Sequence, residues 1–287
     1  MGILLQLIAW LPLVVLRSIA RLGAYFLYVT PSSMKRVSSI NLTLAYPDLD
    51  AKQHQQLLRS TLTNQCLTYI ESIKCWGMST RFNLNLFQNI EGEQHLIEAL
   101  ANKKGVIVVI AHLGCWELLN VWLNRYTSPM IMYKPNKNKA VNQFILKARE
   151  RFNAVLVPTD TQGVREIMKH LRAGGLTVIL PDHLPKESGG ITAPFFGHDV
   201  LSTTLISKLT YKTQCNVLGL SCLRNNTHKF NVICQPLSTS IASQDLQTSV
   251  NALNLAIEKM IEVCPSQYIW SYKRFRKMRG QEDLYWK

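Results

Sequence analysis

The stretch Val106-Ile-Val-Val-Ile-Ala-His112-Leu-Gly-Cys-Trp-Glu117 decides the fold. Val106 to Ile110 is an unbroken β-branched run behind Gly105, the pattern of a strand buried on both faces. A helix is expected from about Cys115, and Gly114 allows a sharp turn between the two. Outward from this segment the chain alternates in the same way. Strands are predicted at 129–133, 154–157 and 176–180, and helices at 138–152 and 163–173, the second closed by Gly174 and Gly175. Beyond them come a helix at 203–213, strands at 216–223 and 229–235, and a last helix at 250–263 that Pro265 ends. On the N-terminal side, a short helix at 93–102 follows an amphipathic one at 50–77. The latter starts at Asp50 with Gln53 and carries Leu58, Leu62, Cys66, Tyr69, Ile73 and Trp76 at helical spacing. The loop 181–202 is long enough to suggest a function of its own. The alternation predicts an α/β fold, a mixed central sheet flanked by helices, as one domain over 31–287.

Residues 1–30 read differently. Ile3 to Leu16 is apolar apart from Gln6, a helix of roughly 21 Å, which is short of a roughly 30 Å hydrocarbon core. Arg17 and Arg21 follow on one helical face, then a second apolar run, Leu22 to Val29. No Lys or Arg precedes the first run and no small-residue cleavage site follows it, so a signal peptide fits poorly. A myristoylation signal lacks the Ser or Thr it needs at position 6. A membrane anchor is expected, either tilted across the bilayer or lying in its interface. Arg17, Arg21, Lys35 and Arg36 would hold the rest of the chain on the cytoplasmic side. A buried hairpin of helices is the alternative.

The 287 residues carry a net charge of +14, while charged residues make up only 17%. Such an excess calls for an anionic partner: nucleic acid, an anionic membrane or an acidic protein. No nucleic-acid motif is present and the basic residues are scattered, which favours lipid over nucleic acid. The seven cysteines are odd in number, form no C-x-x-C, and mostly sit in apolar runs. This pattern fits reduced thiols rather than disulfides or a zinc site.

His112 and Glu117 stand where a buried strand gives way to a helix, the end at which open α/β sheets bind ligands. A neutral imidazole takes a proton from a hydroxyl, and a carboxylate on its Nδ1–H fixes the tautomer. Folding about Gly114 would bring Glu117 back onto the His112 ring, and the nearby helix N-terminus would offer amides to an anion. The spacing alone is weak. A structural histidine, a thiol nucleophile at Cys115, or a non-catalytic basic binding protein would also be compatible with it.

From Ile40 to Arg279 the chain resembles the bacterial lipid A biosynthesis acyltransferases of the late, lauroyl or myristoyl, class, within the lysophospholipid acyltransferase superfamily. The carrying segments come in order: Asn41-Leu-Thr-Leu-Ala-Tyr-Pro47; the box His112 to Glu117; Tyr133-Lys-Pro135; Leu180-Pro-Asp182-His183; Pro194-Phe-Phe-Gly197 with Thr203-Thr204; and Pro265-x-Gln267-Tyr268-x-Trp270-x-x-x-Arg274-Phe275. Lys134 replaces the arginine usual at its position, which keeps the charge but loses the bidentate fork.

The resemblance implies transfer of an acyl chain from acyl carrier protein to a hydroxyl of a lipid A precursor, at the inner membrane, without metal or cofactor. It implies His112 as general base, Glu117 orienting it, and Arg149 or its rival Arg151 stabilising the oxyanion. Lys134, in the segment that resembles the family's Tyr-Arg-Pro, is a candidate for binding the oxyanion or the substrate. Asp182, at a strand end, would bind the acceptor or a nearby base, or simply brace a turn. Phe195 and Phe196 would line an acyl groove or pack in the core. The basic residues Lys273, Arg274, Arg276, Lys277 and Arg279 would meet anionic headgroups or the carrier protein. Other lipid acceptors, such as a lysophospholipid, fit the same chemistry.

Overall fold

A computed structural model describes residues 2–278 and 284–285. Two apolar helices, α1 (Gly2–Trp10) and α2 (Leu13–Val29), meet at a 111° bend around Leu11 and Pro12. Among the described residues no single helix is long and apolar enough to cross a membrane. Helix α3 (Ser33–Ala45) leads to the long α4 (Ala51–Gly77), whose start is a complete capping box between Asp50 and Gln53. After the one-turn α5 (Thr80–Leu84) come β1 (Phe87–Glu91), α6 (Glu93–Ala101), β2 (Val106–Gly114) and α7 (Glu117–Leu123). Then follow β3 (Met130–Tyr133), α8 (Lys139–Arg151), β4 (Val155–Pro158), α9 (Thr161–Arg172) and β5 (Leu176–Ile179). The chain continues through β6 (Gly190–Phe195), β7 (His198–Thr203), α10 (Leu205–Thr213), β8 (Asn216–Arg224), β9 (Phe230–Pro236) and α11 (Leu246–Glu262).

Seven strands form one sheet in the order β1-β9-β8-β2-β5-β3-β4. All neighbours are parallel except β8 and β9, which form an antiparallel hairpin. The α/β class and the mixed central sheet flanked by helices are therefore as expected. Val106 to Ala111 are all fully buried, as a strand with helices on both faces requires.

Three features depart from the expectation. The segment 181–202 is not a plain loop: β6 and β7 pair as a separate antiparallel hairpin against α11. An edge strand, β1, precedes α6. The strand β2 runs on past His112 to Gly114. There it slips against β8, since Ile110 pairs with Leu220 but Gly114 pairs with Cys222. Four residues of β2 thus span two of β8, a bulge that takes His112 out of the ladder. Gly114 has φ +60°, and a Cβ there would lie 2.1 Å from the Cys222 carbonyl oxygen, so only glycine fits.

The N-terminal helices are joined to the body by buried polar contacts. Arg17 Nε donates to Glu71 at 2.8 Å, and Arg224 binds the same carboxylate from the end of β8. Lys74 Nζ donates to the carbonyls of Ala9 (2.6 Å) and Leu11 (2.8 Å), and Gln6 Nε2 donates to that of Gly77 at 3.0 Å. Glu71, Lys74 and Gly77 form one stripe of α4 at three-residue spacing. Removing the shared carboxylate with Glu71→Ala would leave two guanidiniums buried without it. The expected cost is about 3–5 kcal/mol, seen as a lower urea midpoint with unchanged slope. A loss below about 1 kcal/mol would mean that the cluster is solvated rather than buried.

Candidate active site

The parallel register of β2 and β5 builds the site. Val109 pairs with Ile179, and three residues beyond each partner lie His112 and Asp182. One Asp182 oxygen accepts the backbone N–H of His112 at 2.8 Å; the other lies 2.8 Å from His112 Nδ1. Asp182 is fully buried, whereas the His112 side chain is 19% exposed. The carboxylate therefore fixes the ring with Nδ1 protonated and Nε2 open to the cleft.

Burial alone would push the Asp182 carboxyl up. The charge and hydrogen bond of His112 outweigh it, with help from His183, and hold Asp182 well below the usual carboxylate range. For His112, burial disfavours the imidazolium, but the charge and hydrogen bond of Asp182 outweigh this and raise the pKa above its ordinary value of 6.5. His183 stacks on His112 with centroids 3.9 Å apart and planes within 1°, and Tyr272 stacks on the far side of His183 at 3.7 Å. Burial and then the neighbouring His112 lower the His183 pKa to about 4, so this ring is neutral at pH 7. The stack is held from behind. Asn41 Nδ2 donates to the carbonyls of Trp270 and Tyr272, and Tyr272 Oη accepts the N–H of Leu184 at 2.9 Å.

Glu117 does not orient His112 as expected. It heads α7, and its carboxylate is bound by Arg149 Nη2, at 2.9 and 2.8 Å to its two oxygens, and by Trp76 Nε1 at 2.9 Å. Its charge still reaches the imidazole. The reason is that the residues after Gly114 turn away along β8: Cys115 N–H donates to the Cys222 carbonyl at 2.8 Å. That bond, with those of Leu118 and Leu119 to Cys115 and Trp116, also uses amides expected to be free at the helix start.

His112, Glu117, Arg149 and His183 line one cleft of about 440 Å³. Its floor is apolar, with Ile131 and Val178 paired across β3 and β5 and Ile110 on β2 two residues beyond Val108, the partner of Val178. Arg149 Nε and Nη1 are shielded from solvent yet have no hydrogen-bond partner among the described residues. Two donors in this condition at the wall of a cleft are set to receive an oxygen from a ligand. Arg151 points elsewhere: its Nη1 donates to the Trp76 and Met78 carbonyls at the end of α4.

Other expected residues fall outside the cleft. Lys134 is exposed on the loop after β3. Phe195 is buried in the core beneath the Arg274 guanidinium, and Phe196 packs on Tyr46 and Trp270, with its backbone N–H donated to Glu258 of α11. Arg274 is not placed to meet headgroups or a carrier protein: it is buried and donates to the Leu201 carbonyl and Ser202 Oγ. Lys277 pairs with Glu187. Arg279 lies outside the described residues. Cys115 is fully buried and burial pushes its thiol up, so it is in no position to attack a substrate. Among the described residues no group of His, Cys, Asp and Glu is arranged to hold a metal. The sequence carried a signal for His183 and Tyr272 only as neighbours of Asp182 and Trp270; the stack itself depends on tertiary contacts.

The chain is 23% identical over 263 residues to the lipid A biosynthesis lauroyltransferase of Escherichia coli K12, covering 90% of this chain and 85% of that protein. It is 24% identical over 249 residues to a lipid A biosynthesis acyltransferase of Haemophilus influenzae, covering 85% and 76%. With the lipid A biosynthesis palmitoleoyltransferase of Escherichia coli K12 the identity is 24% over 261 residues, covering 88% and 83%. A family model for bacterial lipid A biosynthesis acyltransferases matches residues 1–277, and the chain belongs to that family.

Proposed function

We propose that the protein transfers a fatty acyl chain from acyl carrier protein to a hydroxyl of a lipid A precursor, at the cytoplasmic face of the inner membrane. The observation that carries this reading is a single cleft joining an oriented imidazole, two unpartnered arginine donors and an apolar floor. Residues 1–30 act as the membrane anchor of a catalytic domain over 31–287. The net charge of +14 suits both an anionic membrane and an acidic carrier.

In the proposed reaction, His112 Nε2 takes the proton of the acceptor hydroxyl as its oxygen attacks the thioester carbonyl carbon. Asp182 holds the tautomer and stabilises the imidazolium that forms. The carbonyl oxygen gains negative charge and is received by Arg149 Nε and Nη1. Glu117 and Trp76 keep the guanidinium in place. The tetrahedral adduct expels the thiolate, which takes the proton back from His112 and leaves as the carrier thiol. The product is an ester. The apolar floor over Ile110, Ile131 and Val178 takes the acyl chain.

Transfer from labelled acyl carrier protein to lipid A precursor in membranes tests the reading directly. His112→Ala is expected to lose about 10²–10⁴-fold in rate. A fully active His112→Ala variant would refute the mechanism, and an inactive wild type would refute the donor or the acceptor. Arg149→Lys keeps the charge but loses the fork, with an expected fall of about 10²–10³-fold in kcat. An unchanged kcat would mean that the oxyanion is held elsewhere.

The pH profile separates the two carboxylates. Neutral His112 is the active base and its pKa is raised, so activity falls with pH along a limb lying above 6.5. Asp182→Asn removes the larger charge effect and is expected to move that limb to lower pH, further than Glu117→Gln does. The reverse order would return the orienting role to Glu117.

A further inference from the structure

Twelve of the eighteen large hydrophobic side chains exposed among the described residues belong to α1, α2 and the bend between them. On α2 the pattern is inverted. Small Ala20 and Ala24 face inward, while Val15, Ile19, Leu22 and Phe26 run along the outside at helical spacing. So continuous an apolar stripe is a contact surface. The inner face is already occupied: Ala9, Leu16, Arg17, Ala20 and Ala24 are buried, and Gln6, Ala9, Leu11 and Arg17 are tied to the 71, 74 and 77 stripe of α4.

Neither helix fits a crossing. At 1.5 Å per residue α1 reaches roughly 13 Å and α2 roughly 25 Å, and the 111° bend stops their lengths from adding. Straightening the pair would strip Lys74 of its two carbonyl partners or draw the buried Arg17 away from Glu71.

Charge adjoins the apolar face. Helix α1 packs on α8, where a Cβ at Gly2 would lie 3.9 Å from the Ala140 carbonyl oxygen. Lys137, in the loop entering α8, and Lys139, the first residue of α8, are both exposed. From Lys139 to Arg149 along α8 is roughly 15 Å, so this helix leads from the basic rim to the cleft.

We infer that the outer faces of α1 and α2, with Lys137 and Lys139, dock flat on one leaflet of an anionic bilayer without crossing it, and so place the start of α8 at the headgroups. This rests on the reading that the acceptor is a lipid. The bend inserts Trp10 to the depth of the headgroup–acyl boundary, and the lysines bind lipid phosphates beside it.

The test uses the full chain with sealed vesicles of phosphatidylethanolamine and phosphatidylglycerol. Trp10 emission, taken as wild type minus Trp10→Phe, should be quenched more by lipids brominated near the headgroup than by lipids brominated near the chain end. An epitope at the N-terminus should stay accessible on the same side as the catalytic domain. Stronger deep quenching, or an epitope protected on the far side, would overturn the proposal in favour of a span. Lys137→Glu with Lys139→Glu should weaken binding to these vesicles at least about tenfold; unchanged binding would remove the lysines from the surface. Acyl transfer to a detergent-dispersed acceptor, measured separately on wild type, needs no bilayer. Its failure would count against the catalytic reading alone.

Discussion

One buried carboxylate sets the geometry of the cleft. Asp182 is charged in a place where charge is costly, and it stays charged because His112 answers it twice, through the backbone N–H and through the ring. Both contacts follow from one strand register. Slip β5 by a single residue against β2 and Asp182 turns to the opposite face, leaving a buried charge without a partner. The register is in turn secured by apolar side chains on both faces of the sheet, so the core and the site specify each other.

The order of secondary structure was largely legible, because its causes are local. The helix read at 50–77 is Ala51–Gly77, and the buried run at 106–110 is the centre of β2. The misses have local causes too. Strand β1, Phe-Gln-Asn-Ile-Glu, lies at the sheet edge with Gln88 and Asn89 exposed, so it lacks the apolar signature of an inner strand. The β6–β7 hairpin contains Gly190, Pro194 and Gly197, which read as loop until a partner strand is in view.

The partner of His112 was not legible. Glu117 is five residues away and Asp182 seventy, and proximity in sequence favoured the wrong carboxylate. The decision rests on the bulge after Ile110 and on Gly114, which direct the chain along β8 instead of back over the ring. Glu117 is drawn instead to a guanidinium and an indole from two other helices. The family segments gain a physical sense in the same way. Asn41, the Asp182–His183 pair and Tyr272 come from three distant parts of the chain, yet Asn41 holds the backbone of Tyr272, Tyr272 stacks on His183, and His183 and Asp182 both meet His112.

Helix α4 joins this line to the N-terminal helices. Its residues Glu71, Lys74 and Gly77 grip α1 and α2, while Trp76, between the last two, grips Glu117, and the carbonyls of Trp76 and Met78 hold Arg151 at the end of α8. A rigid α-helix with a contact stripe on one side and an indole on the other transmits position, because neither face moves without the other. The guanidinium of Arg149 therefore takes its place from the same seven residues of α4 that fix the apolar surface. With the outer faces of α1 and α2 seated on a bilayer as proposed, that arrangement would set the height of the cleft above the surface through one rigid helix rather than through a flexible tether, so depth and chemistry would be fixed together.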